Sequence, residues 1–478
     1  MARRSNRRLR RADAPQRWYD VWRDQAIASP ARFAILVFSS LIAIVAVLLS
    51  LPIASASGQW TDLPTALFTA TSTICVTGLT TVDMATYWSP FGHTVIFIGV
   101  QIGAVGVLTL ASLLGLVVSR RMGLRAKLMA ASDSNPMRIH HGPVSESQAI
   151  RLGEMGGLLL TVAGSMLVIE VALAILLLPS MLGSGLPWYL AMWHSLVMAA
   201  MAFTNTGFIL VPGGMEAIAG DGWALSMLMV GVFLGSLGFL VIFAFIRRIR
   251  GKIHRFTVHV KLTVTVTLGL FVAGAIMLAI LEMDNPATFG RLDAGETIFQ
   301  SMFLSMMSRS GGFSTVDISE MHGSTLLVLD MLMFVGGGSA STAGGIKVTT
   351  LAVLFLAIVA EARGFTDMEA FGRRIPNDVL RVALSVLMLS ATTIATACIL
   401  ILHTSGAALD FVLFDVISAF GTAGLSTGLT ASLDGFGQLV LVAVMWMGRV
   451  GTVTLAVAVA ARSQRRLFRH AEERPIVG

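Results

Sequence analysis

Phe414-Asp415-Val416-Ile417-Ser418-Ala419-Phe420-Gly421-Thr422-Ala423-Gly424-Leu425 is a short amphipathic run that stops on a small-residue step between two long apolar stretches. The same order occurs three more times upstream, with steps at Val76-Thr77-Gly78-Leu79, Asn205-Thr206-Gly207-Phe208 and Ser310-Gly311-Gly312-Phe313. Gly78, Gly207, Gly312 and Gly424 stand 129, 105 and 112 residues apart. A single Gly-Leu pair among 47 glycines would mean nothing. Four of them, each after a short helix candidate and each between two spans, form a pattern. Glycine reaches φ > 0 without a Cβ clash and lets carbonyls face an axis unobstructed. Four such turns around one axis can replace the water shell of a monovalent cation inside an apolar pore. The rival reading, glycines that pack helix against helix, explains single positions but not the fourfold order.

Working outward, the chain has 478 residues, 55% hydrophobic and only 13% charged, whereas about a quarter of residues are charged in soluble proteins. A bilayer crossing takes roughly 20 apolar helical residues. Eight runs qualify: 33–53, 91–119, 156–179, 223–246, 262–281, 326–360, 380–402 and 436–460. Between members of each pair lie shorter helix candidates at 63–74, 190–203, 296–308 and 411–420, too short to cross at about 1.5 Å per residue. Each should descend partway with the negative end of its dipole toward the axis. The irregular backbone after it is tolerable at membrane depth only against protein or water.

Arginine and lysine crowd the N-terminal tail, 120–127, 247–261, 363–381 and the tail from Arg462, while the alternate segments hold only Arg291 and Arg309. Positive charge marks the cytoplasmic side, so both termini are expected inside and all four steps outside. Each repeat then starts and ends on one side, which makes the four repeats parallel about an axis along the membrane normal. The expected fold is an all-α membrane protein of four parallel span–pore loop–span repeats, eight spans in pseudo-fourfold arrangement around one central pore. Its expected divisions are a basic cytoplasmic tail (1–32), repeat 1 (33–122), a cytoplasmic connection (123–155), repeat 2 (156–250), repeat 3 (251–363), repeat 4 (364–461) and a second tail (462–478).

The formal charge of +7 is explained by this topology and calls for no nucleic acid, although a polybasic tail can also touch anionic lipid. The first apolar run is a full span, not the core of a cleavable leader. Cys75 and Cys398 sit far apart in apolar sequence and read as small buried hydrophobes rather than as a disulfide or zinc ligands. No nucleophile–base pair or metal-ligand cluster argues for an enzyme, and an ATP-driven pump would need another subunit.

Inside the run 326–360 stands Gly336-Gly337-Gly338-Ser339-Ala340-Ser341-Thr342-Ala343-Gly344-Gly345. A glycine costs a helix about 1 kcal/mol relative to alanine, and five within ten residues should unwind it. An unwound segment at this depth must line protein or water, so 336–346 is expected to form a movable constriction under the third step. It is no phosphate-binding loop, because Ile346 separates the glycines from Lys347 and valine follows. Intramembrane charges are expensive and usually functional. Lys347 admits two readings, a fixed charge at the constriction or a side chain snorkelling to the cytoplasm. Arg449 lies deeper in its span and reads as a barrier to cations. Arg309 should brace the third step from behind through carbonyls or an acid. Glu170 is either its partner or a buried bond to another helix. His194 with Trp193 reads as packing.

The four steps resemble the pore loops of the Trk/Ktr/HKT superfamily of potassium transporters. So do Ser308-Arg309-Ser310-Gly311-Gly312-Phe313, Ser341-Thr342-Ala343-Gly344-Gly345-Ile346-Lys347 and Met447-Gly448-Arg449-Val450-Gly451. The likeness covers nearly the whole chain beyond residue 33 and is nearer to the Ktr-type membrane subunit, with eight spans, than to the larger TrkH type. Asn205-Thr206-Gly207 departs from the usual Asn-Ala-Gly, and Gly338-Ser339-Ala340 varies the run before Ser341. The resemblance implies potassium uptake across the cell membrane through a filter of Val76, Thr77, Gly78, Asn205, Thr206, Gly207, Ser310, Gly311, Gly312, Thr422, Ala423 and Gly424. It implies gating by 336–345 with Lys347 and Arg449. Glycine rather than serine at Gly78 implies potassium preference; a sodium-permeable HKT-like transporter is the alternative. Also implied are no cofactor in this chain, sodium as a candidate activator, a homodimer, and a cytosolic nucleotide-binding ring subunit of the KtrA/TrkA kind. Channel-like and ion-coupled transport both stay open.

Overall fold

The computed structural model describes residues 30–121, 152–251 and 254–451, so both basic tails and most of the connection 123–155 lie outside the described residues. Helices dominate, in a repeating order of long, short, long. The first set is α1 (Pro30–Ser50), α2 (Leu63–Cys75) and α3 (Pro90–Arg121). The second is α4 (Leu152–Gly183), α5 (Trp188–Thr204), α6 (Gly222–Leu237) and α7 (Phe239–Ile249). The third is α8 (Val258–Glu282), α9 (Ala294–Met307), α10 (Gly323–Phe334) and α11 (Val348–Ala362). The last is α12 (Asn377–Ser405), α13 (Leu409–Gly421) and α14 (Gly435–Trp446), which runs on into a π-helical turn at Met447–Gly451.

Acids start many of these helices by accepting the orphan N–H groups of the first turn. Asp62 caps α2 through Thr65 N–H (3.2 Å), Asp221 caps α6 through Trp223 and Ala224, and Asp434 caps α14 through Gly437 (2.8 Å). Asp293 and Glu296 close a reciprocal capping box on α9. The four short helices pack inward against their flanking long ones: α2 on α1 and α3, α5 on α4 and α6, α9 on α8, α13 on α10, α12 and α14. Their C-terminal halves are buried in one hydrophobic core that runs from Phe38 to Val450.

Val162–Gly183, α8 and α12 are each long and apolar enough to cross a bilayer, and α6 with α7 would be so together. The run 326–360 does break, into α10 and α11, with non-helical backbone at 335–347. The run 223–246, expected as one span, is split at Gly238 into α6 and α7, bent by 99°. The cause is contact with the 335–347 segment. Gly238 holds φ +85°, a Cβ there would meet Ala340 O and Ser339 O at 2.8 Å, and Phe239 N–H donates to Ala340 O (3.0 Å). A second correction concerns the all-α expectation. Residues 368–375 form a small antiparallel hairpin, β1 (Met368–Ala370) with β2 (Arg373–Ile375), Met368 opposite Ile375, turning on Phe371 and Gly372, both at positive φ.

Candidate functional site

The four steps meet. Each missing Cβ faces the carbonyl that precedes the glycine of the next step. A Cβ on Gly78 would fall on Thr206 O, one on Gly207 would sit 2.7 Å from Gly311 O, one on Gly312 3.0 Å from Ala423 O, and one on Gly424 2.6 Å from Thr77 O. The contacts therefore run from the first step to the second, third and fourth and back to the first, a closed ring. All twelve residues expected at the filter lie at or within two positions of these glycines.

Backbone handedness repeats around the ring. Gly78, Gly207, Gly312 and Gly424 have φ of +92°, +76°, +74° and +87°. Two residues before each, Val76, Asn205, Ser310 and Thr422 also lie in the left-handed region, at +56°, +60°, +76° and +48°. A non-glycine there costs of order 1–3 kcal/mol, most for β-branched Val76 and Thr422. The strain is held by helix ends: Thr77 N–H donates to Ser72 O (2.8 Å), Thr206 N–H to Met201 O (2.9 Å) and Ala423 N–H to Ser418 O (2.9 Å). These are Schellman-type closures that satisfy orphan carbonyls. The third step differs, since Gly311 and Gly312 N–H share Met307 O. Gly78 N–H reaches Ser72 Oγ (3.1 Å), and Ser310 Oγ donates to Gly421 O (3.1 Å) across two repeats.

Asp415, given no role by the sequence alone, holds the chain after the fourth step. Its carboxylate accepts from Ser426 Oγ, from Thr427 N–H and Oγ1, and from Thr430 N–H and Oγ1, at 2.6–3.1 Å. The signal was available: an acid in an otherwise apolar short helix, with a hydroxyl-rich run eleven residues on.

The segment 335–347 lies against the opposite side of the ring. Gly344 has no room for a Cβ because of the Thr422 side chain, and Gly345 faces Gly421 Cα. Thr342 Oγ1 donates to Phe203 O (3.2 Å). These contacts all involve residues that precede the step glycines, whereas an open cavity of about 520 Å³ is lined by Gly312, Gly424 and residues that follow the four step glycines. Within the segment, Gly336 N–H donates to Ile346 O (2.9 Å) and Val348 N–H to Gly337 O (3.1 Å). Outside it, Gly338 N–H donates to Ser236 O (2.8 Å).

Three buried or half-buried cations hold this segment. Arg309 donates through NH1 to Thr267 O (2.9 Å) and through NH2 to Gly336 O (3.5 Å), so it braces by carbonyls, one of its two expected modes. Lys347 Nζ donates to Ala343 O (2.5 Å), tying the segment to itself. Arg449, 2% exposed in the π-helical turn, donates through NH1 to Thr342 O. Among the described residues its Nε and NH2 have no hydrogen-bond partner. Glu170 is not the partner of Arg309; it accepts from Gln101 Nε2 (2.8 Å), which joins α4 to α3. His194 is buried in packing. Among the described residues no group of three or more His, Cys, Asp or Glu could hold a metal ion, and Cys75 and Cys398 are free and buried.

The sequence profile of the TrkH family, described as a cation transport protein, matches residues 12–469. The chain is 33% identical over 457 residues to the Ktr system potassium uptake protein B of Vibrio alginolyticus, covering 95% of this chain and 96% of that protein. It is 31% identical over 446 residues to the potassium/sodium uptake protein NtpJ of Enterococcus hirae, covering 90% and 93%. Among solved structures, the potassium transporter TrkH of Vibrio parahaemolyticus superposes with a TM-score of 0.68 over 90% of this chain and 84% of that one. At 15% identity it carries the likeness of fold alone.

Proposed function

The chain belongs to the TrkH family of cation transport proteins, a family of transporters and not of enzymes, and on that premise we propose that it is the pore-forming membrane subunit of a potassium-uptake system. The observation that carries the reading is the closed ring of glycine-to-carbonyl contacts. Thr77, Thr206, Gly311 and Ala423 bring four carbonyls to one place without side chains between them. Such carbonyls substitute for the oxygens of an ion's hydration shell. Left-handed backbone at the step glycine and two residues before it gives the chain the same local turn four times. The negative C-terminal ends of α2, α5, α9 and α13 add a favourable field for a cation there.

In this reading eight spans surround the ring in pseudo-fourfold order. The termini lie in the cytoplasm, and the cavity above Gly312 and Gly424 opens outward. The segment 335–347 is the gate, closing the pore under the ring. Arg449 holds it shut through Thr342 O and sets a permanent positive charge beside the path. The chain works as a homodimer on a cytosolic nucleotide-binding ring subunit, which supplies the signal that moves the gate.

Sodium permeation is the second reading, favoured by the name of the Enterococcus relative; glycine at Gly78 argues for potassium. Uptake into a strain without its own potassium systems tests the proposal. Growth at low potassium is expected with this chain, and sodium uptake without rescue of growth at low potassium would overturn the potassium assignment.

A further inference from the structure

We propose that Asp317 makes the outer cavity a loading site for a partly hydrated monovalent cation, which raises the local concentration of the ion ahead of the ring. The inference rests on the reading above, that this ring is the path of the ion.

The four segments between paired spans, 54–90, 180–222, 282–325 and 403–435, hold thirteen acidic residues and two arginines. Most of those acids have visible structural work. Asp62, Asp221, Asp293 and Asp434 cap helices, Asp83 bonds Ala85 N–H and Thr86 Oγ1, Glu282 accepts from Asn285, Thr288, His322 and Thr325, and Asp415 holds the chain after the fourth step. The cavity of about 520 Å³ over the ring has a single acidic residue in its wall, Asp317. The rest of the polar wall is neutral, chiefly Ser314, Ser426 and Thr427, and the cavity reaches Gly312 and Gly424 directly.

Asp317 also has a structural task, which must be separated from its charge. Its Oδ1 accepts from Ser319 N–H (2.9 Å) and Ser319 Oγ (2.7 Å), capping the 3₁₀ turn Ile318–Glu320. That task uses one oxygen. Among the described residues Oδ2 has no hydrogen bond and the side chain no ion-pair partner, so its negative charge is uncompensated in an open mouth. A cation arriving there keeps part of its water, with the wall hydroxyls and Oδ2 as the nearest oxygens. A carboxylate in a concave mouth with low-dielectric walls focuses its field outward and raises the local cation concentration. At several ångströms in a water-like dielectric the attraction is worth about a threefold enrichment, and salt screens it over roughly 10 Å at 0.1 M.

Asparagine caps a helix about as well as aspartate, so Asp317→Asn removes the charge and keeps the turn. In reconstituted vesicles at low ionic strength, Asp317→Asn should raise the potassium concentration for half-maximal uptake about threefold, with the maximal rate unchanged. The difference should vanish when an impermeant salt is added. Asp434→Asn, a cap outside the cavity, should change nothing. If the wild type carries potassium and Asp317→Asn matches it at low salt, the loading site is refuted. A rise that survives high salt, or that Asp434→Asn shares, refutes it equally, since neither is a local charge effect. Asp317→Cys gives a second route that starts from folded protein, because Cys75 and Cys398 are buried. Labelling with an anionic thiol reagent should restore the wild-type half-saturation, and a cationic reagent of the same size should worsen it. Equal effects of the two reagents would overturn the proposal. Failure of the wild type to carry potassium at all would fall on the function proposed above, not on Asp317.

Discussion

The ring of steps and the segment 335–347 are both irregular backbone in the middle of the helical bundle, and they are anchored in different ways. Three of the four steps are held by the helix that leads into them: Thr77 by Ser72, Thr206 by Met201, Ala423 by Ser418, with Asp415 securing the chain beyond. The segment 335–347 is tied to its own repeat by Arg309 and Lys347 but depends on others as well, on Ser236 and Phe203 in the second and on Arg449 in the fourth. A step anchored within its own repeat keeps its local turn when repeats shift against one another. A segment anchored across repeats registers every such shift. Selectivity and gating are thus proposed to be separable because their backbones answer to different neighbours.

The strongest test of that separation is Gly78→Ser. A side chain there meets Thr206 O in the next step, so the potassium-to-sodium preference should fall at least tenfold, about 1.4 kcal/mol, in flux measured with each ion alone. An unchanged ratio would remove the ring from the filter role. Next in size, deletion of residues 337–343 should raise basal potassium flux about five- to tenfold, on the order of 1–1.4 kcal/mol, and leave the ion preference as it was. A changed preference would show that the two regions are one unit. Arg449→Gln keeps a donor for Thr342 O and removes the charge. Basal flux should rise about two- to threefold, on the order of 0.5 kcal/mol, again without a change in preference. Flux equal to wild type at matched expression would refute the barrier. The smallest effect belongs to Lys347→Met. Its amine bonds only within the segment, to Ala343 O, and basal flux should stay within about 1.5-fold, roughly 0.2 kcal/mol, in the same assay.

Much of this arrangement was legible in the sequence because it rests on composition and glycine chemistry. The short helix read at 63–74 forms as α2, and the glycine-rich run does interrupt its helix, since five glycines cost more than local packing returns. The break at Gly238 was not legible. The glycine is single, and the reason for the bend lies about a hundred residues away, in the carbonyls of Ser339 and Ala340. Nor did the sequence reveal the left-handed residues two before each glycine. Val76 and Thr422 are among the worst choices for that conformation, and only the closed helix end and the neighbouring step explain why they adopt it. Glu170 was ambiguous for the same kind of reason: an intramembrane acid needs a partner, but pairing with Gln101 rather than Arg309 depends on which helices adjoin.

The direction in which the steps touch has a consequence for how such a chain can be rebuilt. Contacts pass from Gly78 to Thr206, from Gly207 to Gly311, from Gly312 to Ala423 and from Gly424 back to Thr77, so each repeat has one neighbour ahead and one behind. A circular permutant that began at the second repeat and ended with the first would keep all four neighbours. Exchanging the second and third repeats by recombination would break three of the four. A gene that grew by duplicating one such unit can be cut and rejoined around its circle, but it cannot be shuffled.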